Sequence, residues 1–284
     1  MEDFFENSTI IYSSLVMKKF RFLFFVLPPI TFIIYFFWPI DKDTIKILFI
    51  GNSYNYRNDM PSIFENIAIS KGKKVYVQDC TLGKATLFIQ SRRFEVKNAI
   101  SKENWDIVII QGSSRDFVKD SSIIINKTKP AIEKIIKTIQ KNNPSTKMLF
   151  YMTWGYRNGF KPIDEVNTFE KMSNLIEKRY LSLYKTYDIG VVPVGMAWKD
   201  VRKKRNEVVL YVKDGAHPSL KGSYLAASCF YSAIFNESSV GSNYYGELGP
   251  KICYFLQSIA SKNVLYHKVK YGLNRQFVMK KKQS

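Results

Sequence analysis

Two largely apolar segments, each ending at a glycine or a polar residue, most strongly limit how this chain can fold. The segment 45–50 stops at Gly51, and the segment 106–110 stops at Gln111. Strands that are buried on both faces of a parallel sheet read as nearly continuous hydrophobic runs. The sequence therefore predicts an α/β domain with a central parallel sheet.

Segments with strand character alternate with segments of helical periodicity along the rest of the chain. Further strands are predicted at 75–77, 147–152 and 189–194, and helices at 60–70, 88–101, 123–142, 163–187, 219–235 and 248–260. This alternation indicates right-handed crossovers and a doubly wound, three-layer sandwich. Ligands bind beyond the carboxyl ends of the strands in such folds, so polar residues at those ends are the candidates for function.

A long uncharged segment precedes the predicted domain. Residues 22–40 carry no charged side chain, and a helix of this length spans about 28 Å, close to the hydrocarbon thickness of a bilayer. Lys18, Lys19 and Arg21 stand just before it, which favours a cytoplasmic N-terminus. We therefore expect a cytoplasmic segment at 1–21, a transmembrane signal-anchor at 22–40 and a membrane-anchored domain outside the cytoplasm.

An alternative reading of the N-terminus is a cleaved signal sequence. Met17 followed by Lys18 and Lys19 resembles a fresh start, and cleavage after the apolar segment would make the domain a secreted one. The domain itself is expected at 45–262, followed by a basic tail at 263–284.

The net charge constrains the partners of the protein. Lys and Arg number 43 against 24 Asp and Glu, a formal net charge of +19. Such an excess favours anionic partners or a solvated basic surface. No nucleic acid is expected, because zinc-ligand spacing, a glycine-rich phosphate loop and an RNA-binding aromatic signature are all missing from the sequence.

The first segment with chemical potential is the triplet Gly51-Asn52-Ser53, directly after the first strand. A serine at a strand-to-helix turn can present its hydroxyl at the edge of the sheet, although serine is also common there as a helix cap. The triplet is not the Gly-x-Ser-x-Gly elbow, because Asn55 stands where that motif requires glycine.

The second segment is Asp214-Gly215-Ala216-His217, in a loop before a predicted helix. A neutral imidazole is the usual base for a serine nucleophile. A carboxylate three residues earlier in a turn can reach the other ring nitrogen and fix its tautomer. The only other histidine, His267, lies in the basic tail and is expected to be solvated.

Further polar and aromatic residues follow the later strands. In the segment 111–116, the side chain of Gln111 and the amides of Gly112 and Ser113 are potential donors to an oxyanion. Trp154, Tyr156, Arg157 and Trp198 are candidates for lining a pocket for a sugar or an acyl chain, with core packing as the alternative.

The order of these segments resembles that of the SGNH/GDSL hydrolase superfamily, from about residue 45 to residue 235. Gly51-Asn52-Ser53 matches its nucleophile block, and Asp214 and His217 match its final Asp-x-x-His block. The resemblance implies a flavodoxin-like fold and an ester hydrolase with Ser53, His217 and Asp214 as catalytic triad. It also implies an oxyanion hole that includes the amides of Ser53 and Gly83.

The third block departs from the family pattern. The family usually places an asparagine there as an oxyanion donor, whereas this chain has Gln111-Gly112-Ser113-Ser114. That arrangement looks closer to the Gln-Gly-Glu-x-Asn loop of carbohydrate acetylesterases, or to that of little-characterised SGNH relatives with Gln-x-x-Ser. Gln111 or Ser114 is expected to substitute for the asparagine.

These observations predict a serine hydrolase that acts on a small-molecule or glycan ester. The preferred substrate is an O-acyl or O-acetyl group on a carbohydrate. Trp154 and Tyr156 are expected to bind the substrate. The mechanism requires no metal or organic cofactor. Three alternatives remain open: an O-acyltransferase on a cell-surface glycan, a lipid-active esterase, and a non-catalytic glycan-binding protein that keeps the fold.

Overall fold

Five parallel strands form the central sheet of the computed structural model, which describes residues 43–274. In chain order the strands are β1 (Ile45–Gly51), β2 (Val75–Thr81), β3 (Ile107–Ile110), β4 (Lys147–Tyr151) and β5 (Gly190–Val192). They lie side by side in the order β2-β1-β3-β4-β5, and every neighbouring pair is parallel. The predicted α/β class with a central parallel sheet is confirmed.

Helices connect the strands and cover the sheet. They are α1 (Ser53–Tyr56), α2 (Met60–Ser70), α3 (Leu87–Gln90), α4 (Phe94–Ser101), α5 (Ser121–Ile123), α6 (Lys129–Asn142), α7 (Phe169–Tyr187), α8 (Val194–Lys204), α9 (Leu220–Phe235) and α10 (Pro250–Leu265). Helix α9 packs against α2, α8 and α10. Helix α4 packs against α6.

Alternating side chains of the strands explain why both faces of the sheet are covered. Phe49 of β1 packs edge-on against Phe64 of α2 and Phe230 of α9. Phe150 of β4 packs instead against Tyr180 and Tyr187 of α7. Successive residues of a strand point to opposite faces, so apolar residues at consecutive positions require a helix layer on each side.

The order of the strands places β1 and β3 side by side at the centre. Ile50 is the register partner of Ile110, and the amide of Gln111 donates to the Ile50 carbonyl at 2.9 Å. The residues that follow β1 and β3 therefore emerge next to each other. This is the position where open α/β sheets bind ligands.

Four elements differ from the sequence prediction. The predicted helix 163–187 begins only at Phe169, after a separate 3-10 turn at Asp164–Val166. The predicted helix 88–101 is two helices, α3 and α4, and the predicted helix 123–142 begins with a π turn at Ile124–Thr128. Pro130 follows that turn and has no N–H to donate to the preceding turn, which explains the wider turn before it. Helix α8 was not predicted.

The predictions for both ends of the chain lie wholly or partly outside the described residues. These are the cytoplasmic segment at 1–21, the transmembrane anchor at 22–40 and the last residues of the basic tail. From residue 43 to residue 274, none of the helices combines the length and the apolar character that a membrane span requires.

The packed domain extends beyond the predicted boundary at residue 262. Helix α10 continues to Leu265, Tyr271 and Leu273 are buried, and the amide of Val191 in β5 donates to the Tyr271 carbonyl at 2.8 Å. His267 is exposed, as predicted.

Candidate active site

Ser53 begins the short helix α1, directly beyond the carboxyl end of β1. Asn52 has extended backbone angles and caps this helix, because its side-chain oxygen accepts a hydrogen bond from the Tyr54 amide at 3.1 Å. The sharp turn brings the hydroxyl of Ser53 to the edge of the sheet, where the side chain is 7% exposed. Its position agrees with the prediction from the triplet.

The turn is held by a reciprocal pair between Asn52 and Gln111. The Asn52 amide donates to Oε1 of Gln111 at 2.8 Å, and Nε2 of Gln111 donates to Oδ1 of Asn52 at 3.0 Å. Nε2 also donates to the Gly112 carbonyl at 2.5 Å. The side chain of Gln111 is therefore fully occupied in fixing the loop that carries Ser53.

His217 lies in a tight loop that ends one residue before the N-cap of helix α9. The loop folds back on itself, with the Val212 amide donating to the His217 carbonyl at 3.0 Å. Gly215 has a φ of +69°, a left-handed conformation that glycine adopts without a steric penalty. The ring of Tyr54 packs edge-on against the His217 ring, with centroids 5.6 Å apart.

Asp214 fixes both the backbone and the ring of His217. Its Oδ1 accepts hydrogen bonds from the amides of Ala216 at 2.8 Å and His217 at 2.9 Å, and its Oδ2 lies 2.5 Å from Nδ1 of His217. Partial burial alone would raise the pKa of Asp214, but these hydrogen bonds outweigh it and lower that pKa to about 2. The carboxylate is therefore ionised at neutral pH.

The three predicted residues meet at one point. Oγ of Ser53 lies 2.8 Å from Nε2 of His217, although the two residues are 164 positions apart in the chain. With Nδ1 donating to the Asp214 carboxylate, the lone pair of Nε2 faces the serine hydroxyl. This arrangement allows His217 to take the hydroxyl proton as Ser53 attacks an electrophile.

The segment after β4 anchors the histidine loop. The indole N–H of Trp154 donates to the Ala216 carbonyl at 2.9 Å, and the Arg157 amide donates to the Gly215 carbonyl at 2.7 Å. The guanidinium of Arg157 donates to the Val212 carbonyl at 3.0 Å. These bonds tie three carbonyls of the loop to one neighbouring segment, so the position of His217 is set by packing outside the loop.

A cavity of about 330 Å³ opens beside Ser53 and His217. Its walls combine aromatic and aliphatic groups with cations, contributed by Asn52, Ser53, Tyr54, Lys84, Thr86, Ser113, Arg115, Asp116, Val118, Lys119, Tyr156, Phe160, Ile163, Ala216 and His217. Tyr156 thus lies where it was expected. Between residues 43 and 274, no cluster of three or more His, Cys, Asp or Glu side chains could hold a metal ion.

Two of the predicted oxyanion donors have other partners. Gln111 is buried behind the nucleophile turn and its N–H groups already donate to Asn52 and Gly112. Ser114 is fully buried and lies within hydrogen-bond distance of the Trp154 carbonyl, at 2.8 Å, and of the Thr153 hydroxyl. Neither side chain lines the cavity, so the predictions for Gln111 and Ser114 are corrected: both hold neighbouring loops together.

The prediction that Trp154 binds substrate is also corrected. Trp154 is fully buried and stacks between Tyr54 and Trp198, with ring centroids 4.7 Å and 3.8 Å away. Trp198 is equally buried and lies on helix α8, outside the cavity. Both tryptophans support the site from the core.

Gly83 lies in the turn after β2, next to Lys84, which lines the cavity and has a φ of +61°. Among residues 43–274, neither the Ser53 amide nor the Gly83 amide donates a hydrogen bond to a backbone carbonyl. Their assignment to an oxyanion hole stays a prediction.

The sequence reasoning missed the cations of the cavity wall. Lys84 directly follows the predicted Gly83, and Arg115 directly follows the predicted Ser114. Both cations stand in segments that the sequence motifs had already singled out, and this position was the available signal.

Solved structures with the same fold define the class of the domain. No family model and no curated protein matches the chain. A DUF4886 family protein from Bacteroides uniformis is 21% identical with a TM-score of 0.69, covering 79% of this chain and 96% of that one. A proposed SGNH hydrolase from Slackia heliotrinireducens is 23% identical with a TM-score of 0.51, covering 65% of this chain and 95% of that one.

An acetyl xylan esterase also shares the fold, at 18% identity and a TM-score of 0.52, covering 66% of this chain and 99% of that one. The domain therefore has the fold of the SGNH/GDSL hydrolases. The resemblance drawn from the order of the motifs is confirmed at this level.

Proposed function

We propose that the protein is a serine ester hydrolase that removes an O-acyl group, with O-acetyl preferred, from a carbohydrate outside the cytoplasm. The observation that carries the proposal is the continuous contact from Ser53 Oγ to His217 Nε2, at 2.8 Å, and from His217 Nδ1 to Asp214, at 2.5 Å. A nucleophile, a base and an orienting acid in this geometry are the requirement for acyl transfer to serine.

In the first half of the reaction, Ser53 Oγ attacks the ester carbonyl while Nε2 of His217 takes the hydroxyl proton. The tetrahedral intermediate then collapses, and His217 returns that proton to the departing sugar oxygen. Asp214 stabilises the imidazolium that forms between these steps. The product of this half is an acyl ester on Ser53.

In the second half, a water molecule gives a proton to His217 and attacks the acyl carbon. The bond to Ser53 Oγ breaks, His217 protonates that oxygen, and the carboxylic acid leaves. The amides of Ser53 and Gly83 would stabilise the oxyanion of both intermediates. The buried side chains of Gln111 and Ser114 have no part in these steps.

The size and the lining of the cavity favour a substrate with a short acyl group on a sugar-sized alcohol. Its volume of about 330 Å³ lies at the lower end of the range of small-molecule sites. Tyr156 and Phe160 offer aromatic surfaces on which a sugar ring can pack. One of the solved structures that share the fold is an acetyl xylan esterase. Action outside the cytoplasm rests on the sequence of residues 22–40.

Acetate release from acetylated sugars tests the proposal. The wild-type protein should release acetate, and Ser53→Ala should reduce the rate by at least about 10³-fold, because the covalent route is lost. Ser91→Ala is the matched control, since Ser91 is 8% exposed, close to the 7% of Ser53, and lies outside the cavity. Equal rates for the wild type and Ser53→Ala would overturn the proposed function.

A further inference from the structure

Three cations surround the cavity beside the reactive serine. Lys84 comes from the turn after β2, while Arg115 and Lys119 come from the loop after β3. Among the described residues that line the cavity, Asp116 is the only acidic one. The charge of the cavity wall is therefore positive.

Asp116 compensates Lys119 and neither of the other two cations. Its Oδ1 lies 3.4 Å from the Lys119 ammonium, and its Oδ2 accepts hydrogen bonds from the amides of Ser113 at 3.0 Å and Leu87 at 3.3 Å. Burial raises the pKa of this carboxyl, although Lys119 and the two amides partly offset the rise. The Asp116 carboxyl group points into the protein, and its hydrogen bonds hold the loop after β3 in place.

Among residues 43–274, Lys84 and Arg115 have no acidic partner. No ion pair joins either side chain to a carboxylate between residues 43 and 274, whereas Lys46, Lys73 and Lys270 on the outer surface each pair with a glutamate within 2.7 Å. Arg115 and Tyr156 line the same cavity. Burial raises the pKa of Tyr156, and the charge of Arg115 partly offsets that rise.

The remaining wall is apolar. Val118, Phe160 and Ile163 line the cavity together with the ring of Tyr156. A ligand that fills this cavity meets uncompensated positive charge and aromatic or aliphatic surface at the same time. Neutral acyl sugars use only the second of these features.

We propose that Lys84 and Arg115 form an anion subsite, and that the ester cleaved by Ser53 belongs to a molecule carrying a carboxylate or phosphate, such as an acetylated hexuronic acid. The subsite rests on the proposed function for its role in catalysis, but it binds the anion whether or not the ester is cleaved. Guanidinium and ammonium groups both donate hydrogen bonds to carboxylate and phosphate oxygens, and both side chains are exposed and so open to a ligand.

Three matched substrates separate the sources of the anion. These are an acetylated methyl glucoside, the corresponding acetylated methyl glucuronide and the corresponding acetylated methyl glucoside 6-phosphate, which differ only at carbon 6. Acetate release gives kcat/KM for each with the wild-type protein. The subsite predicts a preference of roughly tenfold for the carboxylate or the phosphate over the neutral sugar, and a smaller preference as the salt concentration rises.

The double variant Lys84→Gln/Arg115→Gln removes the subsite. It should lose most of the preference for the anionic substrate. The matched control is Lys137→Gln/Lys141→Gln, which removes the same net charge from exposed positions of helix α6 and should keep the preference. Circular dichroism spectra and unfolding midpoints that match the wild type verify that both double variants are folded.

Calorimetric binding to Ser53→Ala separates the subsite from the chemistry. Tighter binding of the glucuronide or the sugar phosphate than of the glucoside supports the subsite even if the wild-type protein releases no acetate, in which case only the proposed function fails. Acetate release with equal kcat/KM and equal binding for all three sugars overturns the subsite and leaves the proposed function standing. An equal loss on all three in Lys84→Gln/Arg115→Gln also overturns it, because it assigns these cations to the reaction rather than to the anion.

Discussion

The indole N–H of Trp154 donates to the backbone carbonyl of Ala216 at 2.9 Å, one residue before His217. The two residues are 62 positions apart in the chain. A fully buried tryptophan on one loop therefore sets the position of the histidine loop on another. The orientation of His217 therefore depends on a core residue as well as on Asp214.

Replacing Trp154 by phenylalanine should slow the reaction more than it weakens substrate binding. Trp154→Phe keeps an aromatic ring in the stack but removes the hydrogen bond to Ala216. A small displacement of His217 is expected to lower kcat roughly tenfold while KM changes little. Steady-state kinetics on an acetylated sugar give both values.

The matched control for this prediction is Trp198→Phe. Trp198 is fully buried and stacks on Trp154, but its indole N–H has no hydrogen-bond acceptor in the part of the chain from residue 43 to residue 274. The control removes the same volume from the core without releasing the loop. Equal kcat values for the two variants would show that the Trp154–Ala216 bond does not position His217.

Gln111 is expected to be a structural residue whose loss lowers stability. In Gln111→Glu, the new carboxylate cannot donate a hydrogen bond to Oδ1 of Asn52 or to the Gly112 carbonyl. The substitution also buries a carboxyl group at this position. The free energy of unfolding in urea should fall by about 2–4 kcal/mol. The same change at Gln140, which is exposed on helix α6, should have little effect. A Gln111→Glu protein as stable as the Gln140→Glu protein would contradict the role given to Gln111.

Asp214 links stability to pH in the acid range. Its folded pKa of about 2 lies below the ordinary value of 3.8, so its ionised form stabilises the fold above about pH 4. That contribution is lost as the pH falls towards 2. Because 43% of its side chain is exposed, we expect about 1 kcal/mol.

Denaturant unfolding from pH 6 to pH 2 measures this effect. The difference in unfolding free energy between the wild type and Asp214→Asn should stay constant above pH 4 and shrink by about 1 kcal/mol below it. A difference that does not change with pH would show that the carboxylate is not held as described.

Gly222 should tolerate no side chain. A Cβ at this position would lie 2.5 Å from the Leu210 carbonyl oxygen and 2.5 Å from the Trp198 ring. Gly222→Ala is therefore expected to cost at least about 2 kcal/mol of stability, measured by thermal or urea unfolding. Gly249→Ala is the control, because a Cβ there meets nothing within 4 Å. Equal stability of the two variants would contradict the close packing of α9 on α8.

Local patterns in the sequence were sufficient to predict the sheet and to single out Ser53, Asp214 and His217, which lie in contact with one another. The strands are apolar runs with clear ends, and the carboxyl ends of neighbouring parallel strands necessarily share an edge. Ser53 and His217 were predictable because each stands in a short motif with a defined turn. The contact between them still required the fold.

The roles of Gln111, Ser114 and Trp154 were not predictable from local pattern. All three follow strands, but whether such a side chain faces the cavity or the core depends on packing between distant segments. The sequence around Gln111 and around Asn52 does not show that the two side chains form hydrogen bonds with each other where β1 and β3 end. Helix α8 was a different case, since Val194, Ala197, Trp198 and Val201 do follow helical spacing.

The most direct test of the central claim is labelling with a fluorophosphonate followed by peptide mass spectrometry. If His217 activates Ser53, the phosphonyl adduct should be found on Ser53. His217→Ala should then reduce the labelling rate by at least about 10²-fold. Ser91→Ala should label like the wild type. An unlabelled Ser53, or labelling that is as fast in His217→Ala, would contradict the account.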